Sequence, residues 1–373
     1  MTMPICAEID LRAISHNLAE VRRLVGPEVE IMAVVKANAY GHGLIEVARH
    51  AAASGAGWLG VARAAEGCEL RRHGVEIPIL VLGYTPPEQY AEILACDLAQ
   101  AVYDFSLASA LAEAARRAGR TVRVHLKIDT GMGRLGFPAD EPGLKAALRT
   151  ARLPGLEVEG IFTHFATADA ADKTFVLEQL TRFREALAVL RRAGLEAPLI
   201  HAANSAAIID LPESHFNMVR PGIMLYGLYP SHEVQTRLVD LRPAMTLKAR
   251  IAMVKKVPGG FPVSYGCTHV TCRPTTLATI PAGYADGYFR AFANRSRVLV
   301  HGTRCRVVGT VCMDQIIADV GHVTDVAVGD EVVLFGRQGE ATLPVDELAA
   351  IAGTINYEIV CAVSARVPRV YLR

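Results

Sequence analysis

The feature that most constrains this chain is an alternation repeated eight times in its first two thirds, a short apolar run followed by a stretch with helical periodicity. Strand-like runs fall near residues 31–35, 57–61, 78–82, 98–102, 122–128, 156–163, 198–202 and 216–219. Between most of them lie helical patterns such as 44–53, 106–118 and 174–193. In the last, Phe175, Leu177, Leu180, Phe183, Leu187 and Leu190 recur close to the period of an amphipathic helix. Apolar strands alternating with helices build a parallel sheet, because each crossover returns the chain in the same direction. Eight such units within roughly 220 residues match the count and size of a (β/α)₈ barrel of the TIM type better than a doubly wound sheet.

Beyond about residue 238 the pattern changes to closely spaced strand-like runs at 245–257, 276–280, 297–300, 304–311 and 331–335. Turn signals separate them at Pro258-Gly259-Gly260, His301-Gly302 and Gly329-Asp330, and one helical pattern covers 345–352. The expected organisation is an α/β barrel domain at residues 1–238 and a mostly β C-terminal domain at 239–373. A length of 373 residues supports this division, since single cores stop growing well below it.

Composition excludes several classes of function. Hydrophobic residues make up 51% and charged residues 21%, which fits a packed protein and not a disordered one. The net charge of +1 arises from interspersed bases and acids, so no basic face offers itself to nucleic acid or anionic lipid. The first ten residues lack the basic start and apolar stretch of a secretion signal, and no apolar run is long enough to span a bilayer. A cytoplasmic protein is expected. The eight cysteines contain no C-x-x-C pair, so neither a disulfide framework nor a metal site is expected, and most should be buried reduced thiols.

In such a barrel the reactive groups come from the C-terminal ends of the strands. The first strand ends in Val34-Val35-Lys36, followed by Ala37-Asn38-Ala39-Tyr40-Gly41-His42-Gly43. An ammonium at the end of a buried apolar strand is costly, and desolvation lowers its pKa, which suits a lysine that condenses with a carbonyl compound. The fifth strand ends in Lys127-Ile128-Asp129-Thr130-Gly131-Met132-Gly133-Arg134-Leu135-Gly136, the sixth in Thr163-His164, the seventh in His201-Ala202-Ala203-Asn204-Ser205 and the eighth in Arg220-Pro221-Gly222. The glycines at 131, 133 and 136 formally match the dinucleotide fingerprint, but Pro138, Asp140, Pro142 and Gly143 prevent a helix from opening directly at them. Asn204-Ser205 and Gly222-Ile223 offer a hydroxyl and backbone N–H groups where barrels commonly hold phosphate. Ser205 equally suits the cap of a helix starting at Ala206.

Six segments resemble those of the alanine racemases, in that family's order. They are Ala33-Val34-Val35-Lys36-Ala37-Asn38-Ala39-Tyr40-Gly41-His42-Gly43, Asp129-Thr130-Gly131-Met132-Gly133-Arg134-Leu135-Gly136, Met218-Val219-Arg220-Pro221-Gly222, Ser264-Tyr265-Gly266, Cys312-Met313-Asp314-Gln315 and Ile355-Asn356-Tyr357-Glu358. The resemblance implies a pyridoxal 5′-phosphate enzyme that interconverts L-alanine and D-alanine, to supply D-alanine as a peptidoglycan precursor or to consume it in catabolism. Lys36 is implied as the cofactor-bearing lysine and the base on the D-alanine side, and Tyr265 as the base on the L-alanine side. Two acid/base groups are needed because the proton leaves one face of the α-carbon and returns to the other. Arg220 is implied against the pyridine nitrogen, with His164 in its hydrogen-bond network. Tyr40, Ser205, Gly222, Ile223 and Tyr357 are implied around the phosphate, and Arg134 at the substrate carboxylate. Lys127 matches a lysine that many members carry carbamylated. Tyr265 and Met313 would serve the partner's site in a homodimer, and Asp169, Tyr284, Arg290 and Ile355 would line a narrow access channel. Many members have arginine where this chain has Thr310, which bears on the charge of that channel.

Three other readings share the fold. Racemisation of serine or of a wider range of amino acids would use the same groups. Decarboxylases of this fold usually place an acid at the pyridine nitrogen, against which Arg220 argues. Non-catalytic cofactor carriers resembling the barrel have a single domain, against which the β-rich domain argues.

Overall fold

The computed structural model describes residues 3–373 and divides them into two compact units. One comprises Ala13–Ala39 and Leu44–Arg242; the other comprises the described part of Met1–Arg12, Tyr40–Gly43 and Pro243–Arg373.

The first unit is a closed barrel of eight parallel strands: Glu30–Val34, Trp58–Val61, Ile79–Val81, Ala99–Val102, Val122–Asp129, Leu156–Phe162, Leu199–His201 and Met218–Val219. Each pairs with the next, and the last pairs with the first through Met218 opposite Glu30 and Val219 opposite Ile31. Helices fill the seven connections, among them Leu44–Ala53, Phe105–Arg117 and Thr174–Arg192. Only short turns follow the eighth strand. The helix Leu11–Val25, from the front of the chain, is tied there by Asn17, whose amide donates to the carbonyls of Leu225 and Arg242 at 3.1 and 2.9 Å. The Asn17 Oδ1 atom accepts from the Arg242 N–H at 2.8 Å. Met32, Trp58, Leu80, Ala99 and Met218 form an apolar plug among the strands. Towards the strands' C-terminal ends the buried positions turn polar, with Lys127 two residues after His125 and Arg220 two after Met218.

The second unit is built on a sheet in which Met245–Arg250 pairs with Glu331–Gln338 and Met253–Val257 with Thr275–Ile280. The expected single run at 245–257 is therefore two strands, because the chain changes partner at Ile251-Ala252. The strand Ile5–Asp10, counted with the barrel in the expected 1–238 domain, belongs to this sheet. It pairs antiparallel with Met245–Arg250 and parallel with Arg369–Leu372. Two helices, Val345–Ala352 and Asn356–Ala362, complete the unit.

The cysteines correct a second expectation. Cys68 and Cys96 form a disulfide across adjacent barrel helices, with Cα atoms 5.4 Å apart. Of the remaining six, Cys305 alone is buried, and Cys267, Cys272 and Cys361 are exposed. The reading as buried thiols ignored that small residues in loops and at helix ends also face solvent.

Candidate active site

Lys36 ends the first barrel strand and is half-buried. Directly after it Ala37, Asn38 and Ala39 have φ of 54, 55 and 52° with ψ near 50°, and Tyr40 has φ of 52°, so the chain makes one turn of left-handed helix. That conformation crowds Cβ against the following carbonyl in L-residues, and neighbours must hold it. Glu66 does so: one carboxylate oxygen accepts from Ala37 N–H at 2.7 Å, the other from Ala62 N–H at 2.8 Å. The Asn38 side chain accepts from Leu44 N–H at 2.8 Å and starts the next helix.

Arg220 lies almost wholly buried at the end of the eighth strand. Its Nη2 donates to the carbonyls of Thr163 and Ala202 at 2.8 and 2.9 Å and faces His164 Nδ1 at 3.1 Å, while Nη1 donates to His201 Nδ1 at 2.7 Å. Burial presses its pKa down to about 9, so it remains a cation near neutrality. Lys127, on the fifth strand, is brought to about 8 by burial first and then by Arg134 and Arg220, with Lys36 adding to the effect. His164 is held well below its usual range by burial, then by the charges of Arg220, Lys127, Arg134 and Lys36. Four cations thus act on one neutral imidazole.

The fifth-strand loop shows why its glycines are there. Asp129 Oδ1 accepts from Gly131 and Gly133 N–H at 2.9 and 3.1 Å, and a Cβ on Gly136 would lie 2.5 Å from the Asp129 nitrogen. The glycines shape the turn that presents Arg134; the next helix, Glu141–Ala151, opens only after its cap Asp140. At the seventh strand the helix cap is Asn204, whose side chain accepts from Ala207 N–H at 3.1 Å. Ser205 is therefore not the cap. Its Oγ accepts from Gly222 and Met224 N–H at 2.9 and 3.3 Å, binding the loops after strands seven and eight together.

In the second unit Tyr265 is 72% exposed on a tight loop in which Ser264, Gly266 and Cys267 all have positive φ. Thr310 secures this loop: its hydroxyl donates to the Tyr265 carbonyl at 2.8 Å, and its own carbonyl accepts from Ser264 Oγ at 2.6 Å. Tyr284 N–H donates to the Cys312 carbonyl at 3.0 Å, which sets Tyr284 beside the Met313 segment. Arg366 bridges Asp286 and Asp314 at 3.0 and 2.8 Å beneath these loops. The Tyr40 and Tyr357 rings lie 6.1 Å apart within the same unit.

A family model described as the alanine racemase N-terminal domain matches residues 9–230, and one described as the C-terminal domain matches 244–371. The alanine racemase of Desulforamulus reducens is 54% identical over 372 residues, covering all of both chains. The chain belongs to the alanine racemase family. The solved alanine racemase of Clostridium difficile 630 superposes with a TM-score of 0.95 at 42% identity, over 100% of this chain and 96% of that one. The alanine racemase of Bartonella henselae, solved with covalently bound pyridoxal phosphate, gives 0.88 at 29% identity over 99% and 100%. This chain is accordingly an isomerase, and the barrel-plus-β architecture is that of the alanine racemases.

Of the residues singled out in the sequence, Lys36, Lys127, Arg134, His164 and Arg220 act on one another electrostatically within the barrel unit. Ser205, Gly222 and Ile223 adjoin them in the chain and by hydrogen bonding. Asp169 is exposed in the barrel unit, while Tyr284, Arg290, Met313 and Ile355 are exposed in the other. Glu66 and Gln179 were missed. Each carries a signal in hindsight: Glu66 is an acid at the third position of its helix, and Gln179 is a polar residue inside the apolar stripe of Thr174–Arg192. Buried Gln179 donates to the His164 carbonyl and Thr130 Oγ1 at 3.2 and 3.3 Å and accepts from Ala166 N–H at 2.8 Å.

Proposed function

We propose that this alanine racemase interconverts L- and D-alanine with pyridoxal 5′-phosphate carried on Lys36, and that Lys36 and Tyr265 move the α-proton on opposite faces. The observation that carries the reading is the gathering of Lys36, Lys127, Arg134 and Arg220 around the neutral His164. Such a donor-rich, cationic mouth fits a group bearing a phosphate, a phenolic oxygen and a ring nitrogen, together with a substrate carboxylate. Arg220 keeps Nε–H and one Nη1–H without partners among the described residues. When bound, pyridoxal phosphate supplies the electron sink that acidifies the α-hydrogen of an attached amino acid.

Arg220 can only donate, so it would leave a ring nitrogen facing it without a proton, which would weaken the sink and favour return of the proton to the α-carbon over side reactions. Arg134 offers a planar fork to the substrate carboxylate. Ser205, Gly222, Ile223, Tyr40 and Tyr357 hold the phosphate, a role supported by the Ser205 hydroxyl hydrogen, which has no partner among the described residues. Lys127, whose depressed pKa leaves part of it neutral near pH 8, has a nitrogen lone pair able to attack carbon dioxide. The product is a carbamate with loss of a proton, and its negative charge would pair with Arg134. Tyr265, Tyr284, Met313 and Ile355 are 72, 44, 53 and 57% exposed in the single chain, which supports a homodimer in which Tyr265 and Met313 serve the partner's site. Asp169, Tyr284, Arg290 and Ile355 then line the access channel. No helix among the described residues is long and apolar enough to cross a membrane.

The test is exchange of the α-hydrogen in deuterium oxide. The cofactor-loaded protein should label both alanine enantiomers, whereas Tyr265→Phe should retain cofactor and lose exchange on L-alanine. Normal exchange in that variant would remove the phenol from the mechanism, and faster labelling of serine than alanine would change the substrate. Borohydride reduction should place the cofactor's mass on the peptide containing Lys36.

A further inference from the structure

The Arg220 guanidinium heads a chain of buried polar contacts that runs through the barrel interior and ends on a carboxylate. Its Nη1 donates to His201 Nδ1 at 2.7 Å; His201 Nε2 meets His125 Nδ1 at 2.8 Å; His125 Nε2 faces Glu159 Oε2 at 3.6 Å. His125 and His201 are completely buried, and the Glu159 side chain is 19% exposed. The last gap is slightly longer than a hydrogen bond, yet each of its two atoms is buried and neither has another hydrogen-bond partner among the described residues. A small side-chain rotation closes it.

The fold makes specific provision for this arrangement. Val158 pairs with Val124 and Gly160 with His125, so Glu159 is the extra residue of a β-bulge, and the bulge turns its side chain to His125. A Cβ at Gly160 would lie 2.3 Å from the His125 ring, so only glycine leaves room for the imidazole. His201 stacks on Phe162 at 4.7 Å and meets His125 edge to face at 5.1 Å, while Trp58 packs against His125 at 5.3 Å. The rings are locked in place, so what can vary is where their protons sit.

The two ends together favour one direction: without Glu159 the last buried N–H would lack an acceptor, and the opposite direction would set an imidazole N–H against the guanidinium. A guanidinium has donors only, so it favours a bare acceptor at His201 Nδ1, with the proton of a neutral ring on Nε2. That proton is donated to His125 Nδ1, which leaves the His125 proton on Nε2, pointing at Glu159. Burial lowers the pKa of both imidazoles and keeps them neutral. At the far end Arg123 faces Glu159 at 3.7 Å and is itself paired with Asp97 at 3.0 Å.

We propose that Glu159 is a positioning residue for Arg220: as terminal acceptor it fixes both buried imidazoles with the proton on Nε2, so that His201 Nδ1 holds the guanidinium with its remaining N–H groups towards the cofactor. This rests on the reading that Arg220 faces the ring nitrogen.

The experiment is nitrogen-15 NMR of histidine-labelled full-length protein, first without and then with cofactor. Both His125 and His201 should show the proton on Nε2. Glu159→Gln, which keeps an acceptor oxygen, should preserve that pattern, and Glu159→Leu should replace it with a mixture of tautomers. In the loaded enzyme Glu159→Leu should lower kcat about tenfold, the scale of one lost hydrogen bond, with KM little changed and a larger share of transamination. Glu159→Gln should restore both. Unchanged tautomers in Glu159→Leu would overturn the proposal. Altered tautomers with unchanged kcat and transamination would leave the relay standing and refute the placement of Arg220 at the ring nitrogen. If Glu159→Leu does not fold, His125→Phe ends the relay at His201, whose tautomer should then no longer be fixed; a fixed one would equally overturn the proposal.

Discussion

Lys127 shows how one residue's surroundings become a measurable property of the whole protein. Its pKa falls from 10.5 to about 8 on folding, so between those values the unfolded chain binds more protons than the folded one. Stability therefore rises with pH across that window. In buffer freed of carbon dioxide, urea midpoints should increase from about pH 8 to 10.5, and Lys127→Met should flatten the rise. Bicarbonate should also flatten it in the unsubstituted protein, with a mass gain of one carbon dioxide, because a carbamate does not titrate there. A rise that survives Lys127→Met would assign the effect elsewhere. The places of Lys36, Lys127, His164 and Arg220 in the fold were legible because barrel strands end where the motifs fall; their partners were not. Glu66 and Gln179 form hydrogen bonds to residues as far as 29 and 49 positions away, Glu159 faces a residue 34 positions away, and nothing in the local pattern records such contacts.

At the scale of the element, period was the reliable guide. The helices expected at 44–53, 106–118 and 174–193 are found at Leu44–Ala53, Phe105–Arg117 and Thr174–Arg192. Within the last, however, Leu177 is 42% exposed, and buried Val176 and Gln179 share the inner face. Replacing Gln179 with leucine fills the space but strands the Ala166 N–H and the His164 carbonyl, each costing about 1–3 kcal/mol when left unpaired in the interior. Gln179→Leu should lower the urea midpoint and slow turnover through the displaced His164 segment. A fully stable and active variant would show that this helix does not hold the sixth-strand loop.

At the scale of the molecule, the barrel was readable because all of its strand pairings but the closing one join consecutive barrel strands. Ile5–Asp10 was not, since its partners lie at Met245–Arg250 and Arg369–Leu372. The same distance hides assembly. Tyr265, Tyr284, Met313 and Ile355 are exposed in the single chain and would be covered in the proposed homodimer. Sedimentation should show a dimer, and activity per chain should fall on dilution through its dissociation; Met313→Glu should move that fall to higher concentration. A fully active monomer would exclude shared sites.

The turn that follows Lys36 has one more consequence. Ala37 and Ala39 occupy backbone angles that are unfavourable by roughly 1–2 kcal/mol for a natural residue and relaxed for its mirror image. A semisynthetic chain with the opposite enantiomer of alanine at either position should melt at a higher temperature while keeping the same trace. An enzyme that inverts alanine thus holds two alanines in its own backbone that would rest more easily if inverted.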